Sequence, residues 1–177
     1  MARIEIEKLT KLLEGYKELK QTFCCEQIEE MFEGLESGVD VSVYADPKYN
    51  HFQMGEIRDG LKKGLDVSIY ADTKYNANEM WVIKMGLENN LDITKYADTK
   101  YTWQQMDEIR RGLRDNLDIT KYADTKFNSL QMWQIRWGLE DELDISQYAD
   151  TKYDYEQMRE IRERLLKEQE EKERGKK

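Results

Sequence analysis

Apolar residues recur along the chain at the spacing of an amphipathic helix. Met80, Ile83 and Leu87 lie three and four residues apart, and the same spacing begins again 26 residues later at Met106. This spacing places apolar side chains on one side of a helix, and no segment alternates as a strand would. The pattern predicts long helices of about three turns. We expect them to end just before Leu65, Leu91, Leu117 and Leu143.

Each predicted long helix begins with a capping box. An Asn, Thr or Asp is followed three residues later by Gln or Glu, an arrangement that satisfies the unpaired amides at a helix start. The pairs are Asn50 with Gln53, Asn76 with Glu79, Thr102 with Gln105, Asn128 with Gln131 and Asp154 with Gln157.

A shorter element follows each long helix. The block Leu-Asp-(Val/Ile)-(Ser/Thr)-x-Tyr-Ala-Asp-(Thr/Pro)-Lys-(Tyr/Phe) begins at Leu65, Leu91, Leu117 and Leu143, with a variant at Val39. Its first Asp is a favourable N-cap, so we expect a short helix of one to two turns that carries the Tyr-Ala pair.

Self-similarity at this period is typical of a solenoid, in which each unit buries its apolar face on its neighbours. The sequence therefore predicts an all-α solenoid of 26-residue repeats, each with one long and one short helix. Residues 1–24, with a helix over 3–20, form an N-terminal cap. Residues 25–154 hold five repeats, and residues 155–177 a partial sixth repeat with a charged C-terminal capping helix.

Several repeated residues are interpreted as structural. Glycine inside a helix costs about 1 kcal/mol, so we expect the short helix or its tyrosine to approach each one closely. The glycines are Gly60, Gly86, Gly112 and Gly138, and the tyrosines are Tyr70, Tyr96, Tyr122 and Tyr148. A repeated cation is expected to pair with the repeated Asp residues across repeats. These cations are Arg58, Lys84, Arg110, Arg136 and Arg162.

Composition narrows the class of function. The chain is 37% charged with a net charge of −9, and it has no apolar run that could cross a membrane. The acidic N-terminus does not resemble a signal peptide, so a cytoplasmic location is expected. With His51 as the single histidine and the adjacent Cys24 and Cys25 expected to pack at a helix start, we predict no metal, no cofactor and no enzymatic activity.

The positions opposite the apolar side of each long helix vary between repeats. Trp81 with Met85, and Trp133 with Trp137, are four residues apart and therefore neighbours on one helix surface. A tryptophan buries about 150–250 Å² when covered, so these residues are candidate anchors for a protein partner. Self-association into a homodimer and ordinary intramolecular packing are the alternatives. The other candidates are Phe52, Trp103 and Leu130.

One repeated row raises the question of nucleic acid. Regularly spaced cations beside aromatic rings can track phosphates and stack on bases. However, an Asp precedes each of these lysines by two residues and the chain is acidic, so nucleic acid binding is not expected. The row consists of Lys48, Lys74, Lys100, Lys126 and Lys152, followed by Tyr49, Tyr75, Tyr101, Phe127 and Tyr153.

The repeat Gln-Met-x-Glu-Ile-Arg-x-Gly-Leu-x-x-x-Leu-Asp-Ile-Thr-x-Tyr-Ala-Asp-Thr-Lys-Tyr resembles tandem repeats of poorly characterised proteins from clostridial and other Firmicutes mobile elements and phages. The resemblance covers residues 25–165 and implies no activity or site. Our leading hypothesis is a scaffold that binds a protein. The alternative is an acidic inhibitor from a mobile element that presents carboxylates to a host nucleic-acid-acting protein in place of phosphates. An engineered consensus array is a third interpretation.

Overall fold

A computed structural model describes residues 22–175, and this part of the chain is helical and contains no strand. The predicted helix over residues 3–20 lies outside the described residues. The long helices are α1 (Cys25–Glu36), α2 (His51–Lys62), α3 (Ala77–Glu88), α4 (Trp103–Arg114), α5 (Ser129–Glu140) and α6 (Tyr155–Arg174). Short 3₁₀-helices lie between them: η1 (Val41–Val43), η2 (Val67–Ile69), η3 (Ile93–Lys95), η4 (Ile119–Lys121) and η5 (Ile145–Gln147).

The predicted capping boxes set the start of the long helices. At α2, the Asn50 side chain accepts a hydrogen bond from the Gln53 amide at 3.0 Å, and the Gln53 side chain accepts one from the Asn50 amide at 2.9 Å. The same reciprocal pair is present at the starts of α3 to α6. These bonds satisfy amides that have no partner within the helix, and the prediction is confirmed.

The four long helices with a predicted end, α2 to α5, stop two residues before it. The predicted end of α2 was the residue before Leu65, whereas the helix ends at Lys62. Gly64 then takes φ = +70°, and the Leu65 amide donates to the Gly60 carbonyl at 3.0 Å. This left-handed turn closes the helix and redirects the chain. The turns after α1, α3, α4 and α5 contain a left-handed residue in the same way. These residues are Gly38, Asn90, Asn116 and Glu142.

The short elements have the predicted Asp cap but are single 3₁₀ turns. In η2, one Asp66 oxygen accepts from the Ser68 amide at 3.1 Å and from its hydroxyl at 2.5 Å. The corresponding aspartates of η1, η3, η4 and η5 bind the next Ser or Thr in the same way. Each turn fixes the tyrosine that follows it.

That tyrosine packs directly on a glycine of the preceding long helix. A Cβ atom added to Gly60 would lie 1.8 Å from the hydroxyl of Tyr70, so only glycine leaves room for the ring. The hydroxyl donates to the Glu56 carbonyl at 3.2 Å, and the ring is fully buried. The predicted close approach is therefore confirmed. The same arrangement joins Gly34 to Tyr44, Gly86 to Tyr96, Gly112 to Tyr122 and Gly138 to Tyr148.

The chain divides into two compact units between Met80 and Trp81. In the first unit α1 packs against α2, and the Gln53 side chain donates to the Tyr75 carbonyl at 2.7 Å. In the second unit α4 packs against α5 and α5 against α6, and the Gln105 side chain donates to the Phe127 carbonyl at 2.7 Å. Consecutive helices that pack in this way are consistent with a helical repeat.

Two of the repeated arginines pair with a glutamate of the preceding long helix instead of with the repeated aspartate that the sequence predicted. Arg136 of α5 binds Glu108 of α4 at 2.8 Å, and Arg58 of α2 binds Glu30 of α1 at 2.6 Å. In both cases a glutamate of the preceding helix takes the place of the predicted loop aspartates, because the arginine lies beside that helix. Arg110 instead binds Asp107 of its own helix at 2.6 Å.

The α5–α6 contact departs from this pattern, which leads to a stability prediction. Gln134 replaces glutamate and accepts from Arg162 at 3.0 Å. Its buried side-chain nitrogen has no hydrogen-bond partner among the described residues. Gln134→Glu is expected to raise the free energy of unfolding by about 1 kcal/mol, because it removes an unsatisfied donor and gives Arg162 a carboxylate. Urea unfolding at neutral pH measures the change.

The matched control for Gln134→Glu is Gln134→Met, which keeps the side-chain length but offers Arg162 no oxygen. This variant is expected to lose about 1–3 kcal/mol, since the buried guanidinium then keeps Asp141, at 3.4 Å, and the Trp137 ring but loses its hydrogen bond to residue 134. A Gln134→Glu protein that is less stable than wild type would show that desolvation of the carboxylate outweighs its pairing with Arg162.

Candidate partner-binding face

The candidate site is the outer face of α5, which we define as Leu130, Trp133 and Trp137. The opposite side of this helix is buried, with Met132 and Ile135 fully covered. The outer residues lie three and four positions apart and therefore share one side of the helix. Leu130 is 47% exposed and Trp137 is 38% exposed, whereas Trp133 is half-buried. The helix thus presents apolar side chains on both of its long sides.

The two tryptophans form one cluster that a neighbouring helix holds in place. The ring centroids of Trp133 and Trp137 are 4.7 Å apart with the planes tilted by 57°. The guanidinium of Arg162 on α6 lies 5.0 Å from the centre of the Trp137 ring, within the range of a cation–π contact. Gln134 and Asp141 hold the same arginine. This cluster is a fixed apolar surface rather than two independent side chains.

The contact of Arg162 with this cluster was not predicted from the sequence, which indicated only that the repeated cations pair with aspartates across repeats. The sequence does contain an indication of this contact. The position of Gln134 is a glutamate at residues 30, 56 and 108, and its change to a neutral amide coincides with two tryptophans in the same helix.

Charges around the outer face of α5 are largely paired. On α4, Asp107 binds Arg111 at 2.8 Å, and Arg114 makes a two-point contact with Asp115. The hydrogen bonds from Arg114 lower the pKa of Asp115, so this carboxylate stays ionised. At the end of α5, Glu140 binds Arg136 at 3.2 Å and is itself exposed.

The other candidate anchors are separate from this cluster. Phe52 on α2 is 66% exposed and its ring lies 3.9 Å from the His51 ring. Trp81 on α3 is 36% exposed, one turn from the partly covered Met85. Trp103 is partly covered at the first turn of α4. The structure therefore brings together Leu130, Trp133 and Trp137 on one helix face, and places the remaining candidates on three other helices.

The variable positions of the long helices differ in exposure. Trp133 and Met85 lie opposite the apolar side of their helices, yet each is only partly exposed. Asp107 occupies the corresponding outer position of α4 and is 6% exposed, because Arg110 and Arg111 both bind its carboxylate. Burial at these positions depends on neighbouring side chains as well as on the helical wheel.

The repeated lysines are paired within their own turns. Lys100 lies 3.2 Å from Asp98 and 5.0 Å from the centre of the Tyr101 ring. Hydrogen bonding to Asp98 raises the pKa of Lys100. The ring itself is 5% exposed and its hydroxyl donates to the Ala123 carbonyl, so it has no free face for a base. This geometry supports a packing role for the row.

Little else in the described residues indicates reactive chemistry. Residues 22–175 contain no group of three or more His, Cys, Asp or Glu side chains that could hold a metal ion. Cys24 is the N-cap of α1 and Cys25 is its first residue, but both are exposed, so the expected packing of these cysteines is wrong.

Within residues 22–175, no helix has the length and apolar character needed to cross a membrane.

Comparisons of the sequence with family models, with curated proteins and with solved structures give no match. The resemblance to repeats of Firmicutes mobile elements and phages stays a prediction. The contacts and exposure of the described residues therefore carry the functional proposal.

Proposed function

We propose that this protein is a non-enzymatic helical-repeat scaffold, an α-solenoid of 26-residue two-helix repeats, that binds a protein partner through the outer faces of its long helices. The outer face of α5 is the main anchor. The observation that carries the proposal is the exposure of Leu130 and Trp137 beside the half-buried Trp133. Large apolar side chains clustered on a surface are typical of interaction sites, and tryptophan is enriched among the residues that dominate binding energy.

Comparison with the neighbouring helix supports this choice of face. The positions of α4 that correspond to Leu130, Trp133 and Trp137 are Gln104, Asp107 and Arg111. On α4, Asp107 forms ion pairs with Arg111 and Arg110, whereas Gln104 is exposed. Since the fold accepts polar residues at these positions, packing alone does not require the apolar side chains of α5. A binding role accounts for them.

The double variant Leu130→Ser/Trp137→Ser tests the proposal. Affinity chromatography on tagged protein, with lysate of the source cells and quantitative mass spectrometry, is expected to show a partner retained by wild type and reduced at least tenfold by the variant, because buried aromatic anchors each contribute on the order of 1–3 kcal/mol. The matched control is Asn78→Ser/Gln104→Ser, which changes exposed polar residues at two positions equivalent to Leu130. This control is expected to retain the partner.

Three readouts separate the proposal from its alternatives. Circular dichroism confirms that both variants are folded. Light scattering coupled to size exclusion reports whether wild type is a dimer that the Leu130→Ser/Trp137→Ser change converts to a monomer, which would assign the face to self-association. Washing at about 1 M salt should leave apolar binding largely intact, because the Debye length is then about 3 Å. An acidic inhibitor that imitates phosphates would instead release its partner.

A further inference from the structure

We infer that the outer face of α5 receives an amphipathic helix of the partner whose flanks carry lysine or arginine. This inference rests on the proposed function and specifies the kind of partner. The exposed apolar positions run from Leu130 to Trp137, which is about 10 Å along the helix axis. Two helical turns of apolar surface match the anchors at i, i+3 or i+4, and i+7 that an amphipathic helix presents to a groove or face.

The contacts of α5 also favour an ordered partner element. Met132 and Ile135 anchor the helix from below, and Arg162 fixes the Trp137 ring from the side of α6. A surface that is already rigid loses little conformational entropy on binding, so its shape can be matched by a regular helix.

The negative charge around α5 indicates that the residues flanking the apolar side of the partner helix are basic. Residues 129–174 hold 13 carboxylates and 8 basic side chains. One turn beyond Trp137, α5 ends at the exposed Glu140, which pairs with the buried Arg136, and the exposed Glu142 follows in the closing turn; both lie at the negative end of the helix dipole. The nearby arginines are bound to carboxylates, as with Arg111 on Asp107 and Arg162 on Asp141. Because those arginines are already bound to carboxylates, they offer an acidic partner no free positive charge. A basic partner would instead find complementary negative charge on this surface.

Two synthetic helical peptides test the inference. Both carry leucines at i, i+3 and i+7, and they differ only in having lysine or glutamate at the flanking positions. Isothermal titration calorimetry is expected to show binding of the lysine peptide and at least tenfold weaker binding of the glutamate peptide. Glu140→Gln/Glu142→Gln is expected to weaken the lysine peptide about three- to tenfold, and Leu130→Ser/Trp137→Ser at least tenfold.

The control for net charge is Glu171→Gln/Glu173→Gln, which removes two exposed carboxylates near the end of α6. It should leave the affinity unchanged within about twofold. Equal affinity for the two peptides overturns the inferred charge of the partner. Two outcomes would show a diffuse electrostatic contact and overturn the docking mode. One is an equal loss of affinity for the lysine peptide in the two carboxylate variants, and the other is binding of that peptide that survives Leu130→Ser/Trp137→Ser. Absence of lysine-peptide binding overturns the inference as well, whereas the proposed function is decided separately by the affinity chromatography.

Discussion

Gly112→Ala is expected to lower the free energy of unfolding by about 2–3 kcal/mol, which is large for the addition of one methyl group. The new Cβ atom would lie 1.8 Å from the Tyr122 hydroxyl and 3.0 Å from a methyl group of Ile119. Tyr122 is fully buried, so its ring cannot move away without losing the hydrogen bond to the Glu108 carbonyl or disturbing the packing around it. Urea unfolding followed by circular dichroism measures the loss.

The Tyr122 hydroxyl can be tested by a double-mutant cycle. Tyr122→Phe removes the atom nearest to the added methyl and leaves the ring carbon at 3.1 Å. Gly112→Ala should therefore cost about 1–2 kcal/mol less in the Tyr122→Phe background than in wild type. The same cost in both backgrounds would show that the hydroxyl does not set the need for glycine.

Gly55→Ala provides a matched control within another long helix. At Gly55 the three atoms nearest to an added Cβ all belong to the Glu30 carboxylate, the closest being an oxygen at 3.3 Å. The gain in helix propensity and the adjustment of Glu30 oppose each other, so the change is expected to stay within about 1 kcal/mol. A loss at Gly55 as large as that at Gly112 would point to a general effect of alanine in these helices.

The sequence predicted the elements that depend on local bonds. The capping boxes, such as Asn50 with Gln53, need only residues three apart, and the Asp cap of η2 needs only Asp66 and Ser68. The glycine–tyrosine contact spans ten residues, but its repetition made it visible. Helix ends were less accurate because the left-handed residue that closes each turn is Gly64 after α2 but Asn90, Asn116 and Glu142 after α3, α4 and α5, so no single residue type marks it.

The candidate site was predicted less completely because exposure depends on neighbouring helices. Trp133 and Asp107 occupy equivalent positions opposite the apolar sides of their helices, but neighbouring side chains cover Asp107 more completely than Trp133. Asp107 is buried under Arg110, which binds it within α4. Arg110 finds no glutamate on the preceding helix, because α3 has Val82 at the position where α4 has Glu108. The Arg162 contact with Trp137 joins residues 25 apart on two helices. The second contact cannot be read from one repeat, because its two residues belong to successive long helices.

Above pH 10 the protein is expected to lose stability steeply. Burial raises the pKa of Tyr44 to about 12, and burial likewise raises the pKa values of Tyr96, Tyr122 and Tyr148. An unfolded tyrosine loses its proton near pH 10, whereas these folded tyrosines retain theirs, so the native state binds more protons and rising pH favours unfolding. Their contribution to stability is fully present below pH 10.

The size of the effect follows from the number of protons. Each tyrosine contributes about 1.4 kcal/mol per pH unit between its unfolded and folded pKa values, so four together contribute about 5 kcal/mol per pH unit. A domain with a stability of about 5–15 kcal/mol would then unfold within about one to three units above pH 10. Far-UV circular dichroism reports the unfolding, and absorbance of tyrosinate at about 295 nm reports when the buried hydroxyls titrate.

The variant Tyr96→Phe/Tyr122→Phe/Tyr148→Phe separates this titration from general alkaline damage. It loses three hydroxyls that donate to backbone carbonyls, so at pH 8 it should be less stable by about 0.5–1.5 kcal/mol per residue. Above pH 10 its stability should fall much less steeply than that of wild type, because three of the tyrosines whose pKa values burial raises are absent. An unchanged slope would assign the alkaline transition to groups other than these tyrosines, since phenylalanine has no proton to lose.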